Sequence, residues 1–262
     1  MKIVVTVKLV PDTNADKRID PATKRLVRSG VETVLNPFDE YAIEAALQLK
    51  EKLGADTTVT VCTMAPDSGR EVVRKALAMG ADDALLISDP ALAGSDVSVT
   101  ACVLAAAIKK QGFDLVICGP QSTDAATGDL PGMLAEYLGV AGLTYVRKLD
   151  IEGTTIRAQR ETETGYTRIS AELPALVSVT KSINEPRYPS LKGIMGAKKK
   201  TIATQTLADI AFTSATGSEG AKTEVLALAA PPVRAKGRVV PVSDGAEGAR
   251  VILEFLKEKK LL

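Results

Sequence analysis

The run Gly119-Pro-Gln-Ser-Thr-Asp-Ala-Ala-Thr-Gly-Asp-Leu130 gathers small, hydrogen-bonding residues between two apolar segments. Upstream, Phe113-Asp-Leu-Val-Ile-Cys118 is short and almost continuously apolar, as a strand covered on both faces requires. Downstream, Leu130-Pro-Gly-Met-Leu-Ala-Glu-Tyr-Leu138 carries apolar residues at helical spacing, with Asp129 or Gly128 as N-cap and Gly139 as the stop. A loop of this composition feeding a helix N-terminus offers backbone N–H groups and a favourable dipole to an anion, the chemistry of a phosphate cradle. The same residues also suit a capped strand-to-helix turn with no ligand.

Composition narrows the chemistry further. The chain has 262 residues and no histidine, so no Ser-His-Asp or Cys-His nucleophile system and no His-containing zinc site is available. Cys62, Cys102 and Cys118 are odd in number, widely spaced and set in apolar runs, which reads as buried thiols in a reducing, cytoplasmic setting. A net charge of +1 and 3% aromatic residues argue against nucleic acid. The N-terminus turns polar too soon for a signal peptide, and no window is apolar for long enough to insert in a membrane.

The elements that must position this loop alternate strand and helix. Strands are expected at Lys2–Lys8, Thr57–Cys62, Ala84–Ser88 and Phe113–Cys118, and helices at Pro37–Lys52, Ser68–Met79 and Ser95–Lys110. Asn36 stands as N-cap with Pro37 at the first helical position. This rhythm predicts an α/β fold with a doubly wound, mostly parallel, Rossmann-like sheet of order 3-2-1-4-5. Ligands bind such sheets beyond the carboxyl ends of strands one and four, which places Lys8–Asp12 and the start of the Asn36 helix beside Gly119–Asp129.

The second half changes character. Leu143–Asp150, Thr154–Glu161 and Tyr166–Ala171 read as antiparallel strands, and Pro174–Thr180 as a strand able to return to the main sheet. Lys181–Lys200, broken by prolines and glycines, reads as a long loop with at most one helical turn. Pro11 to about Val34 reads as irregular. Leu226–Val242 is an apolar, Pro-containing arm, and Asp244–Lys259 a closing helix. Residues 1–225 are expected to form the α/β domain, and 226–262 an arm and helix that pack on another subunit or along their own domain.

Several blocks in order resemble the beta subunit of electron transfer flavoprotein. They are Val7-Lys8, Asn36-Pro-Phe-Asp-Glu-Tyr-Ala-Ile-Glu44, Ala76-Leu-Ala-Met-Gly-Ala-Asp82, the Gly119, Gln121 and Asp124 spacing, Leu173-Pro-Ala, and Asn184-Glu-Pro-Arg-Tyr leading through Leu191 to Ile194-Met195 and Lys198-Lys-Lys200. The resemblance implies a non-catalytic electron carrier paired with an alpha subunit that holds most of an FAD, with AMP bound in the beta subunit. It implies donors such as acyl-CoA dehydrogenase, in fatty acid oxidation, and a membrane or redox acceptor. Carried over, the nucleotide site comprises Thr6, Asn36, Pro37, Phe38, Asp39 and Met64, with Gly119, Pro120, Gln121, Ser122, Thr123, Asp124, Ala125, Ala126, Thr127, Gly128, Asp129 and Leu130. Phe38 and Thr13 match positions near the partner's flavin, and Glu185, Pro186, Arg187, Tyr188, Leu191, Ile194 and Met195 match a loop that docks on dehydrogenases, with Leu191 as its apolar anchor. No metal is implied.

The chain also departs from the family's patterns. AMP-binding relatives tend to have a Cys-Asn-Gln-Thr-like run where Thr127-Gly-Asp-Leu130 stands. Flavin-bifurcating relatives, which hold a second FAD and use NADH, tend to have Gly-Asp-Thr-Ala-Gln-Val-Gly-Pro across Ala125 to Gly132. Thr13 stands in place of an aromatic residue, and Gly196 in place of a docking-loop lysine. An ionised Asp129 ~4 Å from a phosphate would cost on the order of 1 to 4 kcal/mol, so the expectation is that Asp129 points away as the helix N-cap, that the phosphate sits elsewhere, or that nucleotide binding is weak. A bifurcating subunit with its own FAD is the second reading. A free-standing ATP-binding enzyme or stress-type module is the third, and it lacks a Walker A or close Gly-x-Gly signature.

Overall fold

Apolar runs such as Lys2-Ile-Val-Val-Thr6 and Leu115-Val-Ile-Cys118 have no polar face to give to solvent, so they must be covered on both sides. In the computed structural model, which describes residues 1–229, 232 and 236–262, they are the centre of a sheet. The described residues form two units, Met1–Val225 and Leu226–Leu262.

Within the first unit the strands are β1 (Lys2–Thr6), β2 (Leu9–Pro11), β3 (Ile19–Asp20), β4 (Arg25–Leu26), β5 (Thr33–Leu35), β6 (Thr58–Met64) and β7 (Asp83–Ile87). They continue as β8 (Leu115–Cys118), β9 (Ala141–Glu152), β10 (Thr155–Thr162), β11 (Gly165–Glu172), β12 (Ala175–Val179) and β13 (Ala203–Gln205). Nine of these form one sheet of order β11-β10-β9-β12-β8-β1-β6-β7-β13. Its core, β7-β6-β1-β8-β12, is parallel throughout and has the expected 3-2-1-4-5 winding. β9, β10 and β11 extend it as an antiparallel meander, and β12 returns between β8 and β9. β13 adds a parallel edge strand on β7 that the sequence pattern does not announce. The segment expected to be irregular contains two short antiparallel ladders, β2 on β5 and β3 on β4.

Alternation along β1 assigns the layers. Ile3 and Val5 join a core with residues of α1 (Pro37–Leu53) and α2 (Arg70–Met79), whereas Val4 joins one with α3 (Val97–Gln111) and α4 (Leu130–Leu138). α3 starts where Asp96 Oδ1 accepts from Val99 N at 2.9 Å, a side-chain N-cap. The expected helix from Ser68 begins instead with a 3₁₀ turn, Asp67–Gly69, and turns α-helical at Arg70. Cys62 and Cys118 are buried, but Cys102 on α3 is only half-buried, which corrects the expectation of three core thiols. Burial pushes the Cys62 thiol up to about 12.

The stretch Lys181–Lys200 is also corrected. It holds a nine-residue helix, α5 (Leu191–Lys199), rather than at most one turn. Ser190 Oγ caps it by accepting from Gly193 N at 3.0 Å. Arg74 of α2 donates to the carbonyl oxygens of Ala197 and Lys200 at its other end. A Cβ on Gly193 would collide with the carbonyl oxygen of Ala78, so this glycine, which helps obscure the helical period, is what lets α5 lie against α2. A short α6 (Gly217–Gly220) precedes the second unit.

In the second unit the helix α7 (Gly245–Glu258) is capped by Asp244, whose Oδ1 accepts from Glu247 N at 2.8 Å. None of its residues is buried; Ile252, Leu253 and Phe255 are exposed. Part of the expected arm, residues 230, 231 and 233–235, lies outside the described residues.

Candidate functional site

β1 and β8 end side by side, and the connections that leave them lead to helices on opposite faces of the sheet, which makes this the switch point where such sheets form a ligand-binding crevice. The chain leaving β5 enters α1 at the same place: Asn36 N donates to the carbonyl oxygen of Lys8 at 2.9 Å. Three walls therefore meet, the turn after β1, the start of α1 and the loop after β8.

Asn36 joins them. It occupies the N-cap position of α1 with Pro37 in the first turn, but its side chain makes no capping bond, unlike the expectation. Its Nδ2 donates to Asp39 Oδ1 at 2.8 Å and to the carbonyl oxygen of Gln121 at 3.0 Å, and its Oδ1 accepts from Thr123 N at 3.2 Å. Those bonds use every donor and one acceptor site of a side chain that is buried. Asn36 thus holds the β8 loop against the helix.

Asp39 sits beneath it, 5% exposed. Its second oxygen, Oδ2, accepts from Lys8 N at 2.8 Å. Burial pushes the Asp39 carboxyl up to about 7, although the bonds from Asn36 and Lys8 favour its charged form. Gly119 passes so close that a Cβ there would stand 2.6 Å from Asp39 Oδ1 and 3.0 Å from the Cβ of half-buried Phe38. Only glycine permits this approach.

The rim is ionic. Lys8 Nζ contacts Asp124 Oδ1 at 2.7 Å and Ser122 Oγ at 3.1 Å, and Arg28 Nη2 reaches Asp124 Oδ2 at 2.5 Å. Lys17 Nζ donates to the carbonyl oxygen of Thr123 at 3.2 Å. Burial would raise the Asp124 carboxyl, but the charge and hydrogen bond of Lys8, with those of Ser122 and Arg28, hold it well below the usual carboxylate range. The cations Lys17 and Arg28 were not among the expected site residues, and Lys8 was expected beside the loop by topology alone. Arg28 and Lys17 lie in the irregular segment after β2, where no periodicity points at the crevice.

The remaining expected residues are distributed unevenly. Thr6 is buried at the end of β1 and half-buried Met64 ends β6, the neighbouring strand. Pro120 is buried behind Gly119, while Ala125, Ala126 and Thr127 are exposed. Gly128 takes φ +73°, a left-handed conformation suited to glycine, and a Cβ on it would stand 3.3 Å from the Tyr145 hydroxyl. Asp129 precedes α4 at the cap position, yet its exposed carboxylate makes no capping bond. Thr13 is exposed in a turn where Asp12 Oδ1 accepts from Asn14 N at 2.7 Å. Tyr145, which sequence reasoning missed, adopts φ +55° within β9, near where that strand's register with β12 shifts.

The residues expected to dock separate into anchors and exposed groups. Arg187 donates to buried Glu44 from Nε at 2.7 Å and Nη2 at 3.0 Å, and to Glu51 from Nη1 at 2.6 Å, fastening the segment to α1. Hydrogen bonds to Glu44 and then Glu51 raise the guanidinium above its ordinary value. Asn184 Nδ2 adds a bond to the carbonyl oxygen of Tyr41 at 3.0 Å. Beyond these anchors Glu185 is exposed and Pro186 half-buried. Tyr188 is 93% exposed and Leu191 76%, with Ile194 and Met195 exposed beside them on α5.

The crevice has features that fit a nucleotide. Thr123 Oγ1 is buried without a hydrogen-bond partner in the loop, as is Thr63 Oγ1 beside Met64. Cations line the rim, where Lys8 and Arg28 are paired with Asp124. Among the described residues no helix is long and apolar enough to cross a membrane.

Comparison with known proteins agrees with this architecture. Residues 23–210 match the family model described as electron transfer flavoprotein domain. The electron transfer flavoprotein subunit beta of Megasphaera elsdenii is 40% identical over 272 residues, covering 100% of both chains. The protein of the same name from Mycobacterium bovis is 43% identical over 99% of both. The caffeyl-CoA reductase-Etf complex subunit CarD of Acetobacterium woodii is 39% identical over 100% of both. With the family model spanning most of the chain and these relatives matching it end to end, the chain belongs to the electron transfer flavoprotein family, on the side of its beta subunits.

Proposed function

We propose that this chain is the beta half of a heterodimeric electron transfer flavoprotein. It carries electrons from flavin dehydrogenases of the acyl-CoA dehydrogenase type to a membrane or redox acceptor, through an FAD held mainly by an alpha subunit. The observation that carries the reading is end-to-end similarity to beta subunits, joined to a crevice at the switch point of the sheet.

In this reading AMP occupies the crevice. Gly119 and the loop to Leu130 supply backbone N–H groups, Thr123 supplies a buried hydroxyl, and Asn36 and Asp39 shape the wall. The flavin supplies the electron-carrying chemistry when it is bound; the chain's own residues orient and shield it. Phe38 and Thr13 lie on the side offered to that flavin, and the exposed group Tyr188, Leu191, Ile194 and Met195 supplies a surface for dehydrogenases. Arg187 acts behind this surface, as its tie to α1. The second unit, with the apolar residues of α7 exposed, packs on the alpha subunit. An acid–base pair is not needed for this work, which suits a chain without histidine.

A bifurcating role, with a second FAD in the crevice in place of AMP and NADH as donor, is favoured by one observation: the full-length similarity to the subunit of the caffeyl-CoA reductase complex. One experiment separates the two. The chain is co-expressed with its candidate alpha subunit, the complex is heat-denatured, and released nucleotides are quantified by chromatography. One FAD with one AMP upholds the ordinary carrier. Two FAD without AMP upholds bifurcation, and absence of a complex overturns both.

A further inference from the structure

We infer that Arg28 is a positioning residue for the crevice, and that the excursion from Asp12 to Glu32, between β2 and β5, is the frame on which the loop after β8 is held. The consequence for nucleotide affinity rests on the proposed AMP site; the fastening itself is a matter of contacts within the chain. The loop needs a frame. From Gln121 to Leu130 no residue is buried, and its backbone is braced internally by the bond from Ala126 N to the carbonyl oxygen of Ser122 at 2.9 Å. Without an apolar anchor, its shape depends on side chains that reach it from elsewhere, and these gather at Gln121–Asp124.

The excursion has no buried residue either, yet it is fixed at two places that do not involve this loop. At its base β2 pairs with β5, and Asp12 N donates to the carbonyl oxygen of Glu32 at 2.9 Å. At its far end, on β4, Arg25 Nη2 donates to the carbonyl oxygen of Gly94 and to Ser218 Oγ, both at 3.1 Å. The seat is close: a Cβ on Gly94 would stand 2.6 Å from Arg25 Nη1. With base and far end held, Lys17 and Arg28 reach the loop from a support that does not depend on it.

Asp124 is where the frame takes hold. Its side chain is shielded from solvent, with Lys8 on Oδ1 from the turn after β1 and Arg28 on Oδ2 from the excursion. Lys8 does not cover both oxygens, because its ammonium is shared with Ser122 Oγ. Among the described residues, Oδ2 has no other partner than Arg28. Loss of Arg28 leaves a shielded carboxylate oxygen unpaired, and relief comes by turning it toward water, which carries the Ser122–Ala126 turn with it. Lys17, on the carbonyl oxygen of Thr123 at 3.2 Å, holds the next residue from the same frame. Arg28 therefore acts on a nucleotide through Asp124 and the backbone around it.

The test uses the heterodimer, carrying Arg28→Met, Arg28→Lys, Asp124→Asn or Arg28→Met with Asp124→Asn. Hydrogen exchange of the Ala126 amide in nucleotide-free protein reads the loop, and titrations with uncharged adenosine and with AMP read the crevice. In Arg28→Met the Ala126 amide is expected to exchange about fivefold faster, the upper worth of a partly exposed ion pair. Adenosine weakens by a similar factor, and AMP by at least as much, since a positive charge is lost as well. Arg28→Lys, which keeps that charge, restores most of both. Added to Asp124→Asn, Arg28→Met costs adenosine nothing further, the mark of a residue that acts through Asp124. Arg28 is exposed, so its replacement leaves the core intact. Should the Asp124 variants not assemble, exchange and adenosine binding in the two Arg28 variants decide.

An Ala126 exchange rate that Arg28→Met leaves unchanged overturns the frame, whatever the nucleotides do. So does adenosine binding that the same substitution leaves unchanged; a loss confined to AMP marks Arg28 as a direct contact for phosphate. Full additivity of the losses from Arg28→Met and Asp124→Asn overturns the route through Asp124. If neither compound binds the wild-type heterodimer but exchange follows Arg28, the fastening stands and the nucleotide reading fails.

Discussion

Asp39 and Asp124 both face Lys8, one through its backbone N–H and the other through its ammonium, yet their carboxyl groups are driven in opposite directions. Both side chains are shielded from solvent, Asp39 at 5% residue exposure and Asp124 at 0% for its side chain. The difference lies in what can reach them. Asp124 stands at the rim, where flexible cations from two elements arrive with full charges and keep contact with water. Asp39 stands at the floor, where only neutral amides and a backbone N–H fit, and dipoles do not repay the lost hydration. Burial alone does not decide the behaviour of a carboxylate; access for a cation does.

This contrast can be broken at several points. Asn36→Ala is expected to have the largest effect, a loss of about 3 kcal/mol, because it strips bonds from three groups, buried Asp39 among them. Urea unfolding of the heterodimer and of the isolated subunit would measure it, and a loss below about 1 kcal/mol would mean that the floor is not built as described. Lys8→Met comes next. It keeps the N–H to Asp39 but removes the cation from Asp124, and Arg28 remains, so a loss of about 2 kcal/mol is expected. An NMR titration should then find the Asp124 carboxyl raised toward its ordinary value.

Asp124→Asn should be milder, about 1 kcal/mol at neutral pH, since Lys8 and Arg28 are both partly exposed and turn to solvent. The Asp124 carboxyl is lowered in the folded state, so the stability it contributes is present above its unfolded value of 3.8 and lost as pH falls below it. The difference between wild type and Asp124→Asn should shrink in acid. Asp39 should give the opposite slope. Its folded value is raised, so its contribution is complete below 3.8 and is lost as pH rises through about 7. Comparing wild type with Asp39→Asn by thermal unfolding across that window should show the wild type losing ground as pH rises. Equal slopes for the two aspartates would remove the distinction between rim and floor.

The same distinction separates what could be read in the residues from what could not. Apolar runs and alternating elements were enough for the 3-2-1-4-5 core and for the meeting of the Lys8 turn, Asn36 and Gly119, because a strand covered on both faces has few ways to be connected. Pro37 after Asn36 marked the start of α1 because proline fits the first turn of a helix without losing a bond. Local pattern failed where the partner is distant in sequence. The helix α5 was hidden because Gly193 and Gly196 interrupt its period, and its stability comes from Arg74 and the close face of α2. Arg187 could be read as a docking residue, but its bonds to Glu44 and Glu51 are made across 143 and 136 positions.

By itself, then, the sequence determined the winding of the sheet, the place of the crevice and the loop that lines it, since these follow from hydrophobic periodicity and turn chemistry within short windows. Only the tertiary structure decided which side chains the crevice keeps for its own construction. Asn36 was expected as a cap and became a clasp, Asp39 accepts from the Lys8 turn and from Asn36, and Arg28 was not expected at all. The reason is physical. Hydrogen bonds and charges are satisfied by whichever groups the folded chain brings within about 3 Å, and that proximity is a property of the packed sheet and its loops rather than of any one segment.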